Sequence, residues 1–113
     1  NFEWYNKVLS DIDAIHFLKE PDGYYSNRWL TTVLIKHQAI TRETLRLALD
    51  KLNIESRPLW KPMHCQPVFK DAPFYGDGTA EKLFEDGLCL PSGSNLTDEE
   101  RDRILKEIKA VFS

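Results

Sequence analysis

The sequence lacks a long apolar run. Its longest uninterrupted apolar stretches, such as Val33 to Ile35, are far shorter than the roughly 20 residues that a membrane-crossing helix requires. No charged segment followed by an apolar one opens the chain, so the pattern of a secretory signal is missing as well. We therefore expect a protein that has no membrane partner.

Cysteine is scarce. The chain contains two, Cys65 and Cys89, and neither belongs to a Cys-x-x-Cys pair or to a Cys/His cluster with zinc-ligand spacing. We therefore expect no metal site. A disulfide between the two is one alternative, but a domain with this apolar content does not need one, so we expect free thiols in a reducing compartment.

An excess of positive charge is also missing. The chain has 18 acidic against 15 basic residues and a formal net charge of −3, with a sequence pI of about 5.6. No general surface field would attract the phosphates of a nucleic acid to such a chain. We expect neither DNA nor RNA as a partner.

What is present is typical of one folded domain. With 42% hydrophobic and 12% aromatic residues, 113 residues are enough for one compact core and too few for two. We predict a single domain over residues 1–113. The chain begins at Asn1 without a methionine and inside a predicted helix, so we expect it to be part of a longer protein.

Four segments show the apolar spacing of a helix. In each of them apolar side chains recur three and four positions apart, which places them on one helix face. Threonines precede two of the segments and are suitable N-caps, and the second of them forms a capping box with a glutamate. We predict helices over residues 1–10, from the Thr41 cap to Leu52, over 79–84, and from the Thr97 cap to the end of the chain.

Three further segments are predicted strands. Residues 27–36 form a nearly continuous run of apolar and β-branched side chains, which is typical of a central strand covered on both faces. Residues 54–57 and 88–90 are predicted as short strands, the first of them ending at Pro58 because proline cannot donate to a ladder. The alternation of helices and strands predicts an α+β or α/β layer.

Residues 57–75 form a proline-rich loop. Prolines 58, 62, 67 and 73 recur every four to six residues, so neither a helix nor a paired strand can continue for long. The same loop carries much apolar side-chain area, and we expect it to be ordered and packed. Long ordered loops in compact domains commonly form binding or active-site segments.

The loop concentrates candidate binding residues. Its guanidinium, ammonium and imidazole groups suit phosphate oxygens, and its indole offers a flat face for a base or sugar ring, which together suggest an anionic, nucleotide-like ligand. In the alternative, the arginine pairs with a surface carboxylate, the lysine is solvated, and the tryptophan and methionine fill the core. The candidates are Arg57, Trp60, Lys61, Met63 and His64.

Several ordered blocks of the chain resemble a known family. Residues 54–69 (IESRPLWKPMHCQPVF), residues 83–93 (LFEDGLCLPSG) and the closing capped helix are similar to the C-terminal part of the DegT/DnrJ/EryC1/StrS sugar aminotransferases. Residues 1–5 (NFEWY) and 26–32 (SNRWLTT), which precede these blocks, also fit the family's sequence. The Ser-Arg-Pro-Leu-Trp-Lys-Pro-Met-His run is most similar to the subgroup that makes amino sugars on nucleotide carriers for bacterial glycans, such as the bacillosamine-pathway enzymes.

The resemblance implies a fold and an activity. It implies the small C-terminal domain of a fold-type I enzyme, with a small antiparallel sheet of two to four short strands packed against helices. The whole enzyme would be a cytoplasmic homodimer that uses pyridoxal phosphate to move an amino group, usually from glutamate, onto a keto-sugar nucleotide. In the family, the Schiff-base lysine and the aspartate that pairs with the pyridine nitrogen belong to a large N-terminal domain. We therefore expect no catalytic or cofactor-binding residue in this chain and no activity of the chain alone.

The resemblance also gives the proline-rich loop a role. The small domain packs against the large one and helps to wall the cleft between them, where ligands commonly bind. Arg57, Trp60, Lys61, Met63 and His64 are therefore the predicted substrate-binding residues. Without the large domain, parts of the first helix and of the loop should expose apolar area. Two alternatives stay open: an independent binding or regulatory module with this fold, and the small domain of a relative that dehydrates the sugar.

Overall fold

The computed structural model describes all residues, 1–113. The chain forms one four-stranded antiparallel sheet and four α-helices, so the α+β prediction is confirmed. None of the helices combines the length and the apolar content that crossing a membrane requires. The helices are α1 (Phe2–Val8), α2 (Arg42–Lys51), α3 (Thr79–Asp86) and α4 (Asp98–Val111), and the strands are β1 (Ile15–Phe17), β2 (Thr31–Ile35), β3 (Arg57–Pro58) and β4 (Gly87–Leu90).

The sheet has the strand order β1-β2-β4-β3, and each pair of adjacent strands is antiparallel. β2 and β4 are the interior strands, and Val33 lies opposite Leu88 with both side chains wholly buried. The predicted central strand is therefore confirmed, although it begins later than expected. Arg28 has a φ of 50°, and the Asn27 side chain accepts a hydrogen bond from the Trp29 amide, so the chain turns before it extends.

The two edge strands differ from the prediction. β1 was not predicted, because three residues are too few to show an alternating pattern. The strand predicted over 54–57 overlaps the observed strand only at Arg57, and the pairing continues through Pro58, where the prediction ended it. Pro58 is tolerated because β3 lies at the sheet edge, where a missing N–H leaves no ladder partner unsatisfied.

The helix caps agree with the sequence. The Thr41 hydroxyl accepts a hydrogen bond from the Thr44 amide at 3.1 Å. At the start of α4, the Thr97 hydroxyl accepts from the Glu100 amide at 3.2 Å, while the Glu100 carboxylate accepts from the Thr97 amide at 2.9 Å. Each reciprocal pair satisfies two amides that have no partner inside the helix. The predicted second and last helices are confirmed.

The core lies between the sheet and the helices. Tyr5 on α1 is fully buried, and its hydroxyl donates to the Pro91 carbonyl at 2.9 Å, which fixes α1 to the end of β4. Burial raises the pKa of the Tyr5 phenol well above its ordinary value. The twelve core side chains are Tyr5, Leu9, Ile15, Val33, Ile35, Leu45, Leu49, Ile54, Leu88, Leu90, Ile104 and Ile108.

The proline-rich loop is irregular, as predicted, but it is not packed. It contains two short 3-10 turns, Met63–Cys65 and Pro67–Phe69, and no residue between 71 and 80 is buried or half-buried. The expectation of a packed loop is therefore wrong for residues 67–75, which are all exposed, whereas His64 is held against α3. The expected apolar exposure of the loop is confirmed, whereas that of the first helix is wrong, since its apolar side chains are buried or half-buried.

Candidate functional site

A cavity of 390 Å³ opens beside the edge strand. It lies between the segment that leads into β2, the edge strand β3 and the end of β4. Its volume is within the range of small-molecule sites in proteins. Three segments distant in sequence contribute to its wall, namely Trp29 and Leu30, residues 55–58 with Trp60, and residues 89–92.

Local turns position this wall. The turn at Asn27 and Arg28 directs the chain so that Trp29 reaches the cavity just before β2 begins. The Ser92 hydroxyl accepts from the Thr31 amide at 2.8 Å and donates to the Leu90 carbonyl at 2.8 Å. These two hydrogen bonds hold the start of β2 to the end of β4 beside the cavity.

Arg57 lines the cavity and is paired with a neighbour. Its Nε and one terminal nitrogen both lie against a single oxygen of Glu55, at 2.7 and 2.5 Å. Both side chains are about three-quarters exposed, at 77% and 73%. This is the surface pairing of the alternative interpretation, and such exposed pairs typically stabilise by less than about 1 kcal/mol. The remaining guanidinium donors are not engaged by the pair.

Trp60 lies at the same cavity and does not fill the core. Its ring centroid is 6.3 Å from that of Trp29, and the two ring planes are inclined at 38°. Trp29 is 71% exposed and Trp60 is 68% exposed. Two large aromatic surfaces that face solvent together are unusual in a folded chain, because burying them is favourable.

Met63 and His64 lie outside this cavity. His64 Nε2 is 2.5 Å from the Glu81 carboxylate, and its ring stacks on Phe74 with centroids 3.6 Å apart. The pKa of Glu81 lies below its ordinary value because its own backbone amide and then His64 hydrogen-bond to the carboxylate. Met63 is 61% exposed, so it does not fill the core either.

The predicted residues therefore form two groups. Arg57 and Trp60 line the cavity. His64 is held by Glu81, and with Cys65 these two residues bring three potential ligand atoms within 4.8 Å of one another. Lys61 is exposed between the groups, and its ammonium group forms no ion pair. Glu81 was missed by the sequence reasoning because 17 residues separate it from its partner and no spacing rule connects them.

Two residues that line the cavity were also missed by the sequence reasoning. The Ser56 hydroxyl oxygen is buried and has no hydrogen-bond partner within the chain. Cys89 lines the cavity from β4, and burial raises the pKa of its thiol, so the sulfur is protonated at neutral pH and is a poor nucleophile. Both cysteines are free, as predicted.

Sequence comparison gives a consistent family match. The sequence model of the DegT/DnrJ/EryC1/StrS aminotransferase family matches residues 1–109. EpsN from Bacillus subtilis (strain 168), provisionally named as a pyridoxal phosphate-dependent aminotransferase, is 38% identical over 98% of this chain and 29% of its own length. GDP-perosamine synthase from Caulobacter vibrioides is 34% identical over 96% of this chain and 30% of its own length.

Structural comparison agrees about the fold. The aminotransferase TlmJ from Streptoalloteichus hindustanus superposes with a TM-score of 0.80 at 23% identity, over 96% of this chain and 29% of TlmJ. At that identity the likeness shows the fold alone. The chain spans less than a third of the length of each of these relatives.

Proposed function

The chain belongs to the DegT/DnrJ/EryC1/StrS aminotransferase family, and from this premise we propose that it is the small substrate-facing domain of a nucleotide-sugar aminotransferase. The whole protein would transfer an amino group, from glutamate, to a keto-sugar nucleotide used in bacterial glycan synthesis. The observation that supports this most directly is the cavity beside β3, which is lined by Arg57 and Trp60 from the block of sequence that resembles the family. We expect the whole protein to be a cytoplasmic homodimer.

The chain itself offers no fitting place for pyridoxal phosphate. That cofactor requires a lysine held beside it, to which it binds covalently. Eight of the nine lysines are exposed, and the ninth, Lys109, is half-buried and bonded to Asp11 at 3.3 Å. No lysine lines the cavity beside β3. The cofactor and its chemistry therefore belong to the remainder of the proposed enzyme, and this chain contributes substrate contacts.

Amino transfer is the direct test of the proposal. The protein that contains this segment, incubated with pyridoxal phosphate, glutamate and keto sugars linked to GDP, UDP or dTDP, should form one 2-oxoglutarate for each amino sugar. The purified chain of 113 residues, assayed in parallel, should form neither product. A sugar product that has lost a hydroxyl without gaining nitrogen would instead identify a dehydratase relative, and transamination by the short chain would contradict the proposal.

Arg57 provides a test at the level of one residue. In the amino-transferring protein, Arg57→Ala should raise KM for the nucleotide sugar, because guanidinium donors left free by Glu55 are expected to contact the substrate. Arg46→Ala is the control, since Arg46 pairs with Glu43 on α2, away from the cavity. Unchanged kinetics of Arg57→Ala with a lowered free energy of unfolding would assign Arg57 a structural role.

A further inference from the structure

We propose that His64, Cys65 and Glu81 form a binding site for one divalent transition-metal ion, and that Zn²⁺ is the ion that fits it best. The site joins the first 3-10 turn of the proline-rich loop to the first turn of α3. None of the three residues lines the cavity beside β3, so the inference goes beyond the proposed function and does not depend on it. It replaces the expectation of no metal site, which considered only closely spaced cysteines and histidines, whereas Glu81 is 17 residues from His64.

The three ligand atoms already lie close together. A ring nitrogen of His64, the sulfur of Cys65 and a carboxylate oxygen of Glu81 are all within 4.8 Å of one another. Atoms bound to one zinc ion, at about 2.0 to 2.3 Å from it, lie roughly 3 to 4 Å apart. The His64 nitrogen and the Glu81 oxygen, now 2.5 Å apart, would therefore separate by about 1 Å. Side-chain rotation is enough for such a movement, so the fold does not have to change.

An unsatisfied oxygen marks the same place. Glu81 Oε1 is bonded to His64 Nε2, but Glu81 Oε2 is buried and has no hydrogen-bond partner within the chain. Buried polar atoms nearly always have a partner, and buried charges are paired or bind metal ions. A cation bound at this carboxylate would compensate the charge that both oxygens share. The orphaned oxygen is therefore an observation, separate from the closeness of the three side chains, that points to a ligand.

The surrounding structure holds the ligands in position. The Phe74 ring stacks on the His64 imidazole, with centroids 3.6 Å apart. The Cys65 amide donates to the Pro62 carbonyl at 3.0 Å, which closes the 3-10 turn that carries both the imidazole and the thiol. Glu81 is fixed at its backbone because it lies within α3. Ligands that are already ordered lose little conformational freedom when an ion binds, so more of the binding energy appears as affinity.

The chemistry of the donors selects the ion. Imidazole and thiolate favour Zn²⁺, whereas Mg²⁺ and Ca²⁺ prefer oxygen ligands. When the ion binds, the Cys65 thiol loses its proton to solvent, and the hydrogen on His64 Nε2 moves to the other ring nitrogen or to solvent. The thiolate and the Glu81 carboxylate then neutralise the two charges of the ion. Because Cys65 is exposed, a water molecule can occupy the fourth position of a tetrahedral ion.

Metal titration of the full 113-residue chain tests the proposal. The chain is prepared without a histidine tag, stripped of metal, and kept reduced by a phosphine, since a dithiol would compete for zinc. Binding heat is recorded with Zn²⁺ and with Mg²⁺, and absorption is recorded with Co²⁺. We expect one Zn²⁺ per chain, a thiolate-to-cobalt charge-transfer band, and no saturable binding of Mg²⁺. Zn²⁺ should also raise the unfolding temperature, because it binds the folded chain.

Each ligand has a variant and a matched control of the same residue type. Cys65→Ser, His64→Gln and Glu81→Gln should each weaken Zn²⁺ binding by about tenfold or more, and Cys65→Ser should abolish the charge-transfer band. All three residues lie outside the hydrophobic core, so the variants should stay folded, which circular dichroism checks. The controls lie outside the cluster and should keep the affinity of the parent: Cys89→Ala, His16→Gln and Glu85→Gln.

Three results would overturn the proposal. They are no saturable binding of Zn²⁺ by the parent chain, unchanged affinity in any ligand variant, and an equal loss of affinity in the ligand variants and their controls, which would indicate an adventitious surface ion. The protein that contains this segment should show the same charge-transfer band, lost in its Cys65→Ser variant, and a missing band there would also overturn the proposal. None of these measurements requires amino transfer, so their outcome leaves the proposed function untouched.

Discussion

At the scale of single residues, the contact between His64 and Glu81 organises the proline-rich loop. It joins the first 3-10 turn to the first turn of α3, and the stacking of Phe74 on the imidazole covers the ring from one side. Together with the backbone hydrogen bonds of the two 3-10 turns, this pair restrains the loop near residue 64.

The pair predicts a dependence of stability on pH. The pKa of Glu81 is lowered in the folded chain by its own backbone amide and by His64, so the folded state favours the ionised carboxylate. That stabilisation is present above the ordinary pKa of 4.5 and is lost as the pH falls through the lowered folded value. Glu81→Gln should therefore lose less stability than the parent between about pH 6 and pH 3, measured by urea unfolding.

Glu85→Gln is the control for this measurement, because the Glu85 carboxylate lies on the same helix and is exposed without an ion-pair partner. It should lose the same stability on acidification as the parent chain. If Glu81→Gln and the parent lost equal stability over this range, Glu81 would not be coupled to folding through its ionisation.

At the scale of elements, the last helix is the best specified part of the chain. The capping box at Thr97 and Glu100 starts α4, and the face with Ile104 and Ile108 enters the core. Thr97→Ala removes the hydroxyl that accepts from the Glu100 amide and should lower the free energy of unfolding by about 1 kcal/mol. The urea midpoint at constant slope measures this.

Thr97→Ser keeps the hydroxyl and should restore most of the lost stability, since Thr97 is exposed and its methyl group makes no core contact. A full loss in both variants would mean that the hydroxyl is not what stabilises the start of α4.

Elements with a local signal were predictable, and those that depend on distant partners were not. The capped helices and the interior strand β2 carry their pattern in their own residues. β1 is a strand because it pairs with β2. β3 pairs with β4 and includes Pro58, which is tolerated because β3 lies at the sheet edge. The site divides in the same way: Arg57 and Trp60 are conspicuous by type, whereas Trp29, Ser56 and Glu81 become relevant only when folding brings distant segments together.

At the scale of the whole molecule, the exposed apolar area of the loop is the main anomaly. Val68 is 78% exposed, Tyr75 is 93% exposed, and Phe74 is 47% exposed, in a segment that the rest of the chain leaves uncovered. Surfaces of this kind mark contacts with another domain or chain. In the proposed enzyme the large domain would cover them.

The exposed loop predicts self-association of the short chain. The 113-residue chain should bind a hydrophobic dye and sediment partly above monomer mass, and replacing Val68 and Tyr75 together by serine should reduce both effects. Because both side chains are exposed, the free energy of unfolding should change by less than about 0.5 kcal/mol. A monomeric parent chain that binds no dye would show that this surface is not a docking surface.

The location of the cofactor lysine tests the central claim most directly. The protein that contains this segment is loaded with pyridoxal phosphate, reduced with borohydride to fix the cofactor on the lysine that holds it, digested, and mapped by mass spectrometry. We predict one modified lysine, at a position outside residues 1–113, with all nine lysines of this chain unmodified. Stoichiometric modification of a lysine within residues 1–113, or no modification anywhere, would contradict the account.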